Sequence, residues 1–223
     1  MGTRLHPRGW CMAETVVIVH GIWMTGLELA LLALRLRRCG YRTLVFRYPS
    51  LRRSLAQNAA RLAERVEQQG DATVHLVGHS LGGLVVLQAL QDHPDLIRGH
   101  VVLLGSPVNG SVIAQRLHAH PVSRCLIGRS GEGALLGGGP RWHGSRTLGM
   151  IAGTRPRGIG RLLGGFGEAS DGTVALSETR LDGAHETITF PSTHFGMLFS
   201  RAVARAVCGF LRAGRFPPPG ESL

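Results

Sequence analysis

Val74-His75-Leu76-Val77-Gly78-His79-Ser80-Leu81-Gly82-Gly83 is the stretch from which the rest of the chain can be read. Its first four residues are mostly apolar and spell a short buried strand. Gly78-His79-Ser80-Leu81-Gly82 then fits G-x-S-x-G, and Leu84-Val85-Val86-Leu87-Gln88-Ala89-Leu90 reads as a buried helix. Strand, sharp turn and helix together form the setting of a nucleophile elbow, in which a serine sits at the apex of a strained turn. Gly78 and Gly82 lack the Cβ atoms that would collide where strand and helix meet. A chain with 32 glycines meets the bare pattern by chance often enough that the flanking strand and helix carry the weight. Ser80 is expected to raise its hydroxyl above the carboxyl edge of a sheet.

On either side of the elbow, strands alternate with helices. Thr15 to His20 is a β-branched run ending at Gly21, the pattern of a strand buried on both faces. Leu27 to Arg38 has helical spacing with arginines in its last turn, closed by Cys39-Gly40. Tyr41 to Tyr48 is a second strand, and Ser54 caps a helix running to about Gln69. Further strands are expected at Gly99 to Leu104, Leu148 to Ala152 and Glu186 to Phe190, and a last helix from about Met197 to Leu211. This rhythm predicts an α/β fold with a central, mostly parallel sheet of about six strands flanked by helices. Val108 to Ser145 breaks it, with one weak helical pattern at Val112 to Leu117, and reads as an irregular, cap-like insertion. Residues 1–14 read as a disordered leader in which Met12 is an alternative start, 15–213 as a single domain, and 214–223 as a loose tail.

At 43% hydrophobic and 17% charged residues, the composition is that of a globular domain. The net charge is +11 and every Lys-or-Arg position is Arg. Such a surface suits anionic partners, including peripheral contact with an anionic membrane. The arginines are scattered, and no nucleic-acid-binding signature accompanies them, so no nucleic-acid partner is expected. Cys11, Cys39, Cys125 and Cys208 are far apart and form no C-x-x-C pair. Neither a metal site nor a disulfide framework is indicated, and reduced thiols in the cytoplasm are the expectation. No apolar run reaches the length of a membrane span, and no signal peptide is visible.

A serine hydroxyl needs a base to take its proton and a third group to hold that base. In a sheet of this kind the acid and the histidine follow the serine in chain order, each after a later strand. Asp171, in Ser170-Asp171-Gly172-Thr173-Val174, follows the fifth strand, and His194 follows the sixth. Among 11 histidines, position singles out His194. His185 lies at the opposite sheet edge, and the His79 side chain should point away from that of Ser80. Glu168, Glu178 and Asp182 are the neighbouring alternatives to Asp171. Negative charge on a substrate oxygen calls for backbone N–H donors. Leu81, opening the elbow helix, and Ile22 or Trp23, in His20-Gly21-Ile22-Trp23-Met24, are placed to supply them. Trp23 and Met24 read either as lining of an acyl pocket or as core residues.

From Val16 to about Leu211 these motifs resemble the α/β-hydrolase superfamily, and more narrowly its small bacterial lipases and esterases. The resemblance implies an α/β-hydrolase fold with Ser80 as nucleophile, Asp171 as acid, His194 as base, Ile22 and Leu81 as oxyanion donors, and no cofactor. It implies a serine hydrolase that cleaves carboxylic esters through an acyl-serine, acting on a small-molecule or lipid-like ester. Gly78-His79-Ser80-Leu81-Gly82 also fits thioesterases and acyltransferases using the same triad, and a catalytically silent binding module would share the fold.

Overall fold

Alternation along the first strand sets the architecture. The computed structural model describes residues 14–70, 72–144 and 146–218. β1 (Thr15–Val19) is buried throughout. Val17 and Val19 pack into one apolar cluster, while Val16 and Ile18 pack into another. Successive strand residues point to opposite faces, so a strand buried on both lies between two layers.

The other strands are β2 (Arg42–Phe46), β3 (Val74–His79), β4 (Val101–Leu104), β5 (Leu148–Gly153) and β6 (Glu186–Phe190). All pair in parallel, in the order β2-β1-β3-β4-β5-β6. The expected α/β architecture, a parallel sheet of six strands flanked by helices, is the one observed. β1 and β3 are neighbours whose chains leave in opposite directions along the sheet, to β2 and to β4. A crevice opens at such a switch point, outside the carboxyl ends of the strands. There Val19 lies opposite Gly78, one residue before His20 and two before Ser80.

α1 (Ala30–Arg38) and α9 (Arg201–Ala213) cover one face, and α2 (Leu55–Glu67) and α3 (Leu81–Asp92) the other. Ser54 and Gln57 form a reciprocal capping box that starts α2. The expected helix Met197 to Leu211 is in fact two, α8 (Gly196–Phe199) and α9. Ser200 separates them because its extended backbone lets its hydroxyl accept from the Val203 N–H, which a through-running helix would not allow.

The insertion holds α4 (Val112–His118), α5 (Pro121–Arg124), α6 (Gly128–Gly131) and a 3₁₀ turn at Ala134–Leu136. It is more structured than the sequence suggests because side chains elsewhere anchor it. Asn58 of α2 donates to the Ser130 hydroxyl, which in turn donates to the Arg53 carbonyl. Asn109 donates to the carbonyls of Ser177 and Arg180. α7 (Ile159–Leu162) lies in a stretch after β5, residues 158–167, that is rich in glycine.

The expectation for the cysteines is overturned. Cys39, at the end of α1, and Cys208, in α9, form a disulfide across 169 residues. Packing of both helices on one sheet face brings the sulfurs together, a proximity that sequence spacing does not reveal. Cys39 and Cys208 are therefore not the reduced thiols expected. Cys125 is free and exposed. Among the described residues no helix is long and apolar enough to cross a membrane. The expected leader lies outside the described residues except for Glu14, whose carboxylate is 3.2 Å from His75. Within the expected loose tail, Phe216 is buried against Phe210, with ring centroids 4.6 Å apart.

Candidate active site

Ser80 stands at φ 55°, ψ −126°, between β3 and α3. L-residues rarely hold a positive φ, and such strain persists only where the surroundings enforce it. Two contacts enforce it here. The Ser80 N–H donates to the Leu104 carbonyl at 2.9 Å, fixing the turn to β4. The first turn of α3 also presses on the end of β1, where a Cβ on Gly82 would sit 2.4 Å from the carbonyl oxygens of Val19 and His20. Leu81 opens α3, so its N–H lacks an intrahelical acceptor, and it finds no other among the described residues.

Asp171 and His194 are brought together from loops after β5 and β6. The His194 Nδ1–H donates to Asp171 Oδ2 at 2.6 Å, and the His194 backbone N–H donates to the Asp171 carbonyl at 2.9 Å. The other carboxylate oxygen accepts from the N–H groups of Thr173 and Val174. Asp171 is 1% exposed and His194 4%. A buried carboxylate with both oxygens occupied has one orientation available, and it fixes the imidazole tautomer with Nδ1 protonated. His194 Nε2 is left as an acceptor without a partner among the described residues. Ser80 lines the same cavity as His194, with no hydrogen bond between the two side chains.

His20 shapes the loop after β1. Its Nε2 lies 3.2 Å from the Tyr48 N–H and its Nδ1 2.7 Å from the Gly21 carbonyl oxygen. Nε2 accepts, so Nδ1 carries the proton and donates to Gly21. Tyr48 stacks on the ring at 4.4 Å and donates its hydroxyl to the His20 carbonyl. Burial lowers the His20 pKa and raises that of Tyr48, so both stay neutral. The carbonyl that His20 grips belongs to the peptide unit whose N–H is Ile22's. In a trans peptide the two point in opposite directions, so this grip turns the Ile22 N–H away from His20. That N–H donates to no described residue. Trp23 follows at φ 59°, and its indole N–H donates to the Leu126 carbonyl of the insertion.

Ser80 lines two cavities. One, of about 50 Å³, is walled by apolar side chains including Ile113, Leu117, Ile127, Leu135 and Val174, most of them from the insertion. The other, of about 310 Å³, is lined by His194, His79, Met24, Arg157 and Phe195. Ile22, Trp23, Ile159 and Thr173 lie on both. Trp23 lines both cavities, and Met24 only the one that holds His194.

Three features escape the sequence. His79 does not turn out of the site. Its ring packs against His194 at 4.7 Å, and its Nε2–H donates to the His194 carbonyl at 3.2 Å. Burial holds its pKa well below 6.5. Glu178 makes no hydrogen bond to His194 among the described residues. Its buried carboxylate accepts from the N–H groups of Ala175 and Val112, tying the Asp171 loop to the start of α4, and burial raises its pKa. The His20–Tyr48 pair is the third. Only a histidine directly before Gly21 hinted at it. His185 bonds the Leu148 N–H at the far sheet edge, as expected. The described residues hold no cluster of His, Cys, Asp and Glu suited to a metal ion.

A family model described as the alpha/beta hydrolase family matches residues 16–180, which include the elbow and the Asp171 loop. The chain belongs to the alpha/beta hydrolase family. Among solved structures, the chain is similar to the mature form of the Bacillus licheniformis lipase BlEst2, at 20% identity and a TM-score of 0.73, covering 95% of each chain. It is also similar to the metagenomic carboxyl esterase MGS0156, at 22% identity and a TM-score of 0.64, covering 86% of this chain and 68% of that one. A pyrethroid hydrolase from Sphingobium faniae JZ-2 matches at 13% identity and a TM-score of 0.61, covering 90% and 98%. At these identities the likeness is one of fold. Comparison with curated protein sequences finds no match.

Proposed function

We propose that this alpha/beta hydrolase cleaves carboxylic esters through an acyl-serine, with Ser80 as nucleophile, His194 as base and Asp171 as its orienting acid. The observation that carries the proposal is the His194–Asp171 bond. It leaves Nε2 as the free acceptor of an imidazole that shares a cavity with a serine on a strained elbow. Nε2 takes the Ser80 proton as Oγ bonds to the ester carbon. The N–H groups of Ile22 and Leu81 stabilise the resulting oxyanion. The bond to the leaving alcohol then breaks, and His194 returns the proton to that oxygen. Water repeats the sequence on the acyl-serine, releasing the carboxylic acid and restoring Ser80.

The two cavities divide the substrate. His194 must reach the leaving oxygen, and it lines only the wider cavity, so the alcohol belongs there and the acyl group in the narrow apolar slot under the insertion. The insertion is, in this proposal, a cap on the acyl side. The slot suits a short aliphatic acyl group. Since Cys39 and Cys208 are joined, an oxidising compartment is favoured over the cytoplasm. Hydrolysis of p-nitrophenyl butyrate tests the activity. Ser80→Ala is expected to lower kcat by about four orders of magnitude or more, whereas turnover like the wild type would reject Ser80 as nucleophile.

A further inference from the structure

The alcohol cavity carries a charge that ester hydrolysis itself does not use. Apart from the histidines, Arg157 is the one ionisable residue among the described residues lining it, and no Asp or Glu is among them. Asp171 stands behind His194 with both oxygens already bonded. Arg157 is exposed and, among the described residues, pairs with no carboxylate. Its backbone is nonetheless fixed. The Arg155 N–H donates to the Ser192 carbonyl, two residues before His194. On the other side, Gly172 lies so close that a Cβ there would sit 2.3 Å from the Arg157 carbonyl carbon, and the Gly160 N–H donates to the Gly172 carbonyl. The segment carrying Arg157 is therefore braced by the loops that carry Asp171 and His194.

Arg157 lines this partly apolar cavity, and a guanidinium is the group whose donor fork matches a carboxylate or phosphate. We infer that Arg157 is a specificity-determining residue, selecting esters whose leaving alcohol bears an anionic carboxylate or phosphate group. The inference rests on the hydrolase reading above, because that reading assigns this cavity to the alcohol. Arg157 touches the alcohol rather than the reacting atoms, so its effect belongs in KM.

The test compares matched esters: the butyryl ester of 4-hydroxybenzoate against that of 4-hydroxybenzamide, and butyrylglycerol 3-phosphate against butyrylglycerol. The quantity read is the ratio of kcat/KM for the anionic ester over its neutral partner. Arg157→Gln is expected to lower that ratio about tenfold or more for at least one pair, through KM, with Arg157→Lys keeping part of it. The pair that responds names the anion. Arg155→Gln, which removes the same net charge two residues away, should leave the ratio near the wild-type value. An unchanged ratio in Arg157→Gln overturns the inference, including the case where both rates fall together through a purely structural effect. An equal fall in Arg155→Gln also overturns it, since the overall field would then be responsible. Folded wild-type protein that hydrolyses none of the four esters contradicts the hydrolase reading itself. Hydrolysis of the neutral esters without Arg157 dependence contradicts only the inference.

Discussion

His20 Nδ1 lies 2.7 Å from the carbonyl oxygen of Gly21, and through that one peptide unit a buried imidazole sets the direction of the Ile22 N–H. Replacing His20 by Ala frees the peptide to rotate. Removing an oxyanion donor outright costs about 10²–10³ in kcat, so misorienting one is expected to cost roughly tenfold or more in kcat, with KM within about twofold. Steady-state kinetics on a neutral short-chain ester checks this, and a loss confined to KM would contradict the assigned role.

Asp171→Asn keeps the shape of the side chain and lets its Oδ1 still accept from Thr173 and Val174. Its amide then faces His194 Nδ1 as a donor, which forces the proton onto Nε2 and removes the base. The expected outcome is a fall in kcat of about 10³–10⁴-fold, with the unfolding midpoint little changed. Activity within tenfold of the wild type would point to another acid.

Burial lowers the pKa values of His20, His75, His79 and His100 from 6.5. Below about pH 6.5 the unfolded chain therefore binds more protons than the folded one. Stability is full above that pH and falls as the pH drops through the lowered values. Glu178, whose pKa is raised from 4.5, acts in the opposite sense, but four groups stand against one. Thermal unfolding between pH 7 and pH 5 should show a falling midpoint. A flat or rising one would contradict the buried neutral histidines.

Cys39→Ser or reduction opens a loop of 169 residues' separation. The expected cost is about 2–5 kcal/mol, or roughly 5–15 °C in the unfolding midpoint. An identical midpoint with and without reductant would mean that the bond contributes nothing.

The parts legible in the sequence are those where local pattern and burial agree. Val16 to Val19 and Val101 to Leu104 are continuous apolar runs because both their faces are covered. Asp171 and His194 follow the strands that place them, so chain order identified a pair that bonds. What the sequence hides depends on distant packing. Cys39 meets Cys208 only because α1 and α9 share a sheet face. The His20 tautomer is set by Tyr48, which sits 28 residues on. Arg157 gains meaning only when the cavity beside it is seen to hold His194. Ser200 ends one helix and caps the next by a side-chain bond that helical periodicity does not display.

Covalent labelling with a fluorophosphonate, followed by intact-mass measurement and peptide mapping, tests the central claim most directly. The expected result is a single adduct on Ser80 at pH 8, absent in Ser80→Ala and slowed by orders of magnitude in His194→Ala. Folded wild-type protein that takes no adduct, or takes it at another residue, would contradict an activated serine at the elbow.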